Sequence, residues 1–135
     1  PELEIFNPSM IETSYSLAAE GLLERPLRFG FGLGFTNSLS ADPRNIAYLG
    51  SMVKDGDIWG MLHEGMENFR GIAAAFGLGA AMLRVGYEDG AYYGKGIPAE
   101  SNGELVEHLA AFIREGGKEI AGPEEARHLL GLPAV

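Results

Sequence analysis

Cysteine is absent from the sequence, so neither disulfides nor thiolate-held metals are available to this fold. Basic residues are scarce. Ten Lys and Arg stand against nineteen Asp and Glu, the formal charge is −9, and no basic cluster stands out. Binding to nucleic acid needs a basic face to neutralise phosphates, so no nucleic-acid partner is expected. Long apolar runs are missing as well. No stretch reaches about 18 residues, and no basic segment leads into an apolar one as in a secretion signal, so the expectation is a soluble, cytoplasmic protein with no membrane partner. There is no initiator Met either: the chain opens on Pro1 and runs at once into Leu3-Glu4-Ile5-Phe6, which reads as a fragment or a processed or trimmed chain.

What the sequence does contain is material for one domain. At 135 residues and 46% hydrophobic, residues 1–135 can bury a substantial core as a single unit. The twenty glycines sit at the ends of apolar runs and not in a low-complexity tract, which suits tight connections between regular elements.

Short apolar runs alternate with longer helical patterns. Leu3 to Phe6 reads as a strand. Asn7-Pro8-Ser9 offers a cap for a helix over Met10 to Leu23, with Met10, Leu17, Ala18 and Leu22 at helical spacing. Leu27 to Leu33 is a second strand with Phe29, Phe31 and Leu33 on one face, followed by the loop Gly34 to Ser38. A helix from Pro43 to about Val53, the turn Asp55-Gly56-Asp57, a strand from Ile58 to Leu62 and a helix from Asn68 to Leu78 come next. Ala81 to Val85 is a fourth strand. After a long loop, helices are expected from Asn102 to Glu115, capped by Ser101 or Asn102, and from Pro123 to Leu130. Four strand–helix repeats predict an α/β fold with parallel strands. At roughly 30 residues each they fit a (β/α) barrel or a doubly wound sheet; a full TIM-type (β/α)8 barrel needs about 250 residues, and four units make half of one.

Ligands of such folds bind at the carboxyl ends of the strands. Glu2 and Glu4, the loop from Gly32 to Ser38, His63-Glu64, and Arg84 with Glu88-Asp89 lie on or beyond the four strands. The segment from Leu83 to Gly90 is the most telling: an apolar run ends in an arginine, a glycine and two adjacent carboxylates, and buried charge is costly unless it has a partner or a task.

Arg84-Val85-Gly86-Tyr87-Glu88-Asp89 resembles the last-strand signature of the beta-keto acid cleavage enzymes. The resemblance extends through Pro1 to Phe6, Phe29 to Gly34, Ala41-Asp42-Pro43-Arg44-Asn45, Asp57-Ile58-Trp59, Tyr92 to Gly96, Ser101-Asn102 and Pro123 to Arg127. These segments are similar, in order, to the C-terminal half of that family's barrel. The resemblance implies zinc-dependent conversion of a β-keto acid and acetyl-CoA into acetoacetate and a new acyl-CoA. It implies Glu88 as a zinc ligand beside two histidines of an H-x-H motif, Asp89 as the base, and Arg84 as the stabiliser of developing charge. A further glutamate on the fifth strand is placed at Glu4, with Glu2 as the alternative. Gly34, Thr36, Asn37 and His63 are the expected contacts to substrate and CoA. No H-x-H occurs in this chain, whose histidines are His63, His108 and His128. The other zinc ligands, and with them catalysis, are therefore expected from a missing N-terminal half, the chain assembling with that half or as a homo-oligomer.

Plainer readings stand beside these. Arg84 with Glu88 or Asp89 would serve as a structural ion pair at a strand end. Glu4 would be a solvated charge, Gly34 to Ser38 a connecting loop whose free amides could receive a phosphate, and His63 a polar loop residue. Glu104, Glu107 and Glu115 read as a solvated helix face, with His108 and His128 on helices facing solvent. Two other functions fit the pattern: a non-catalytic half-barrel that acts in assembly through its open strand edges, and another barrel enzyme such as an aldolase or a phosphate-binding isomerase.

Overall fold

The computed structural model describes residues 1–133. Four strands, β1 (Leu3–Ile5), β2 (Arg28–Leu33), β3 (Ile58–His63) and β4 (Met82–Leu83), form one parallel sheet in the order β1-β2-β3-β4. Helices α1 (Pro8–Ala19), α2 (Pro43–Met52) and α3 (Arg70–Gly77) connect successive strands, and α4 (Asn102–Glu115) and α5 (Pro123–Leu129) follow β4. This is the α/β arrangement that the four repeats predicted. Among the described residues no helix is long and apolar enough to cross a membrane.

Alternation along the strands decides which face of the sheet is covered. Phe29, Phe31 and Leu33 on β2 point to the helices and are fully buried, with Trp59 and Met61 beside them from β3. The Phe31 and Trp59 rings stack at 5.0 Å. Ile11, Ile46, Leu49, Ile72 and Ala75 close the layer from α1, α2 and α3. Between these apolar residues β2 carries Arg28, Gly30 and Gly32, so its opposite face has almost no side chain to offer.

The boundaries have local causes. α1 begins at Pro8 and ends at Ala19, short of Leu23, because Gly21 takes a left-handed φ of +77°. Leu22 N and Gly21 N then bond back to Leu17 O and Ala18 O, closing the helix, and Leu22 is left exposed outside it. Asp42 caps α2 by accepting from Arg44 N, with Pro43 in the first turn. Ser101 caps α4, accepting from Glu104 N at 3.1 Å, while the Glu104 carboxylate reaches back to Glu100 N. Glu104 is therefore a capping group and not a member of a solvated face. His108 is exposed as expected, and its ring also stacks on Tyr93 with centroids 3.8 Å apart. Tyr93 belongs to an irregular antiparallel hairpin of β5 (Tyr92–Gly94) and β6 (Ile97–Pro98) between β4 and α4, where the sequence pattern predicts a long loop.

Candidate active site

Register across the sheet builds the floor of the site. Glu4 pairs with Gly30, Gly30 with Gly60, and Gly60 with Met82, so these four residues form one row across β1 to β4. Two adjacent glycines at its centre leave a trough between Glu4 on one side and β4 on the other. A β-carbon at Gly30 would lie 2.6 Å from Glu2 Oε1, so the Glu2 carboxylate lies over this glycine. Both glutamates line a cavity of about 380 Å³ on this face, together with Leu62, Met82 and Arg84. The strand period that sends Phe29 and Phe31 into the core is what places the glycines and carboxylates here.

β4 carries the cationic side. Its ladder continues one step beyond Leu83, with Arg84 N donating to Met61 O. The chain then folds into a tight turn in which Asp89 N and Gly90 N both donate to Gly86 O at 2.9 Å. This turn brings Asp89 back onto Arg84: Nε donates to Asp89 Oδ2 at 2.9 Å and Nη2 to Oδ1 at 2.8 Å. Such a two-point fork is the strongest geometry a guanidinium offers a carboxylate. Nη2 also lies 3.2 Å from Glu88 Oε2. The adjacent carboxylates are thus sorted by burial, the Asp89 side chain being 2% exposed and that of Glu88 84%. Arg84 is 46% exposed, and among the described residues its Nη1 makes no hydrogen bond. The bond to Asp89 holds the Arg84 guanidinium pKa above its usual value, so its charge is permanent.

The remaining candidates sit on the rim. In the loop after β2, Gly34 N donates to Leu39 O, Ser38 N to Phe35 O, and Leu39 N to Phe6 O. These three amides are spent within the fold; Thr36 and Asn37 are exposed at its tip, Asn37 with φ +67°. Gly34 itself abuts the loop after β3, since a β-carbon there would meet Glu64 O at 2.7 Å. His63 has the parity of Met61, so its ring turns from the trough toward α3, where a β-carbon at Gly71 would lie 3.4 Å from Cδ2. Its Nδ1 faces Glu64 O at 3.3 Å, and its Nε2 is buried without a partner among the described residues. Burial pushes the His63 pKa down, which favours the neutral ring. The structure therefore gathers Glu4, Glu2 and Arg84 around one cavity, joins Asp89 and Glu88 to Arg84, and leaves Gly34, Thr36, Asn37 and His63 outside the cavity lining.

Zinc at a catalytic site takes three protein ligands. Among the described residues no group of three His, Asp or Glu side chains is placed to hold a metal ion, and exposed Glu88 has only Arg84 beside it. The described residues do not by themselves fit the metal.

Three contacts that shape the site had escaped the sequence reading. Asn102 Oδ1 accepts from Tyr87 N at 2.8 Å, Met66 N donates to Asp89 O, and Gly90 fits only because it lacks a side chain, a β-carbon there lying 2.6 Å from Met66 O. Each joins residues far apart in the chain, for which periodicity gives no signal.

Comparison with known proteins bears on this geometry. Residues 1–132 match the family model described as beta-keto acid cleavage enzyme. A 3-keto-5-aminohexanoate cleavage enzyme of Fusobacterium nucleatum is 38% identical over 132 residues, covering 98% of this chain and 47% of the relative. The enzyme of the same name from Acetoanaerobium sticklandii is also 38% identical, over 98% of this chain and 48% of its own. A 3-dehydrocarnitine:acetyl-CoA trimethylamine transferase of Rhizobium meliloti is 32% identical, over 98% and 43%. The chain spans about half the length of the curated relatives it matches.

Proposed function

The chain belongs to the beta-keto acid cleavage enzyme family, and we propose that it carries part of the site for an acetyl-CoA-dependent exchange, in which a β-keto acid and acetyl-CoA give acetoacetate and a new acyl-CoA. The observation that supports this most is Arg84: a permanent cation, forked by buried Asp89, lining a trough that carries Glu2 and Glu4 across two glycines. A β-keto acid brings a carboxylate and an acidic carbon beside its carbonyl. The unengaged Nη1 hydrogens of Arg84 are donors for its oxygens, and a fixed cation next to them lowers the cost of the negative charge that forms when the α-proton leaves. Asp89 is the proposed base, with Glu4 or Glu2 as the second carboxylate facing the substrate. Gly34, Thr36, Asn37 and His63, on the rim after β2 and β3, are proposed to meet the thioester side. Glu88, exposed above the trough, is offered as a single zinc ligand, the others coming from outside the described residues.

The test is acetyl-CoA-dependent formation of acetoacetate, measured with the remaining barrel units supplied. Wild type is expected to be active, with Arg84→Lys and Asp89→Asn each lowering the rate by about a hundredfold or more. Inactivity of a folded, complete assembly would refute the proposal. The open edges of β1 and β4 favour a second reading, in which the sheet's main role is assembly with another chain or another copy. A monodisperse monomer in sedimentation would remove that reading. The phosphate-binding alternative gains no support, because the loops after β3 and β4 carry exposed Glu64, Glu67 and Glu88.

A further inference from the structure

We infer that Asn102 is a positioning residue that holds the Glu88–Asp89 turn in register with Arg84. The inference rests on the reading of Glu88 and Asp89 as site residues. Glu88 is 84% exposed and forms an ion pair with Arg84 at 3.2 Å, so burial does not fix it. Its direction depends on the backbone of the turn from Gly86 to Gly90. Within that turn the amides of Asp89 and Gly90 are satisfied by Gly86 O. The Tyr87 amide takes a different acceptor, Asn102 Oδ1 at 2.8 Å, fifteen residues along the chain. The same Tyr87 is held at its far end, where Oη donates to Ala99 O at 2.8 Å. Residues 99 to 102 thus grip Tyr87 at its backbone and at its hydroxyl.

The grip is rigid because its base is rigid. Asn102 is the first residue of α4, directly after the Ser101 cap, and α4 is anchored in the core through fully buried Leu105. On the other side the turn is braced by Met66, whose N donates to Asp89 O and whose backbone fills the space beside Gly90. The Met66 bond is made by backbone, whereas Asn102 holds the Tyr87 amide through its side chain and uses only an acceptor oxygen.

Substitution can therefore separate the acceptor from the residue. Asn102→Ala removes it, and Asn102→Asp keeps an oxygen in the same place. Both are compatible with the start of an exposed helix, and far-UV circular dichroism checks that the fold persists. In Asn102→Ala the Tyr87 amide is expected to exchange with solvent about tenfold faster, the factor that one net hydrogen bond is worth. In Asn102→Asp the exchange is expected to return to the wild-type rate. The acetyl-CoA-dependent kcat is expected to follow, falling about tenfold in Asn102→Ala with KM unchanged and recovering in Asn102→Asp. Wild-type protection of the Tyr87 amide in Asn102→Ala, or equal loss in both variants, would overturn the inference. Should the wild type show no acetyl-CoA-dependent activity, the proposed function fails, and amide exchange in the two variants still decides the role of Asn102.

Discussion

Removing either partner of the Arg84–Asp89 pair should destabilise the protein by unequal amounts, and the sign of the inequality follows from burial. In Asp89→Ala the guanidinium loses two charge-assisted bonds of 2.9 and 2.8 Å, but it is 46% exposed and keeps Glu88 at 3.2 Å, so water re-solvates the charge. The expected cost is about 1 kcal/mol. In Arg84→Ala the carboxylate left behind is 2% exposed, and both of its oxygens lose their donor. Stranding a buried charge costs about 3–5 kcal/mol in a fully closed site. The half-open position of Arg84 lets some water in, which places the cost at about 3 kcal/mol. Urea unfolding of wild type and both variants at pH 7 measures this. Equal costs for the two variants, or a larger cost in Asp89→Ala than in Arg84→Ala, would refute the assignment of Asp89 as the buried member.

Two further expectations follow from the rim. His63 has a folded-state pKa below its ordinary value because of burial, so its contribution is intact above about pH 6.5 and is lost as pH falls below it, when the unfolded chain takes up the proton first. Thermal unfolding of His63→Asn should accordingly be flatter than wild type between pH 7 and pH 5. Gly90→Ala should cost about 1–3 kcal/mol, since its methyl would lie 2.6 Å from Met66 O and 2.8 Å from Met66 N, whereas Gly77→Ala at the exposed end of α3 meets nothing within 4 Å and should be neutral or slightly stabilising in the same denaturation assay.

The sheet was legible in the sequence because alternation marks a buried face: Phe29, Phe31 and Leu33 share one side of β2, and that side is the covered one. Helices α2 and α4 announced themselves through Asp42-Pro43 and Ser101-Asn102, whose capping chemistry is local. The β5–β6 hairpin was not legible, since its strands are three and two residues long and its register is irregular. Nor does adjacency in sequence tell which of Glu88 and Asp89 is buried; the turn on Gly86 decides that, and Met66, in the loop after β3, and Asn102, at the start of α4, hold the turn. Glu4 was singled out as the strand's functional carboxylate, and the structure sets Glu2 beside it on the same cavity. His63 read as a residue at a strand end, but its parity with Met61 turns the ring toward α3.

The central claim is that a β-keto acid binds over the glycine floor against Arg84. Titrating the isotopically labelled chain with acetoacetate, while following the Gly30 and Gly60 amides and the Arg84 Nε–H resonance, tests it most directly. Saturable shifts of all three that are lost in Arg84→Ala are expected. Shifts confined to residues away from the trough, or no shift at saturating acetoacetate, would contradict the account.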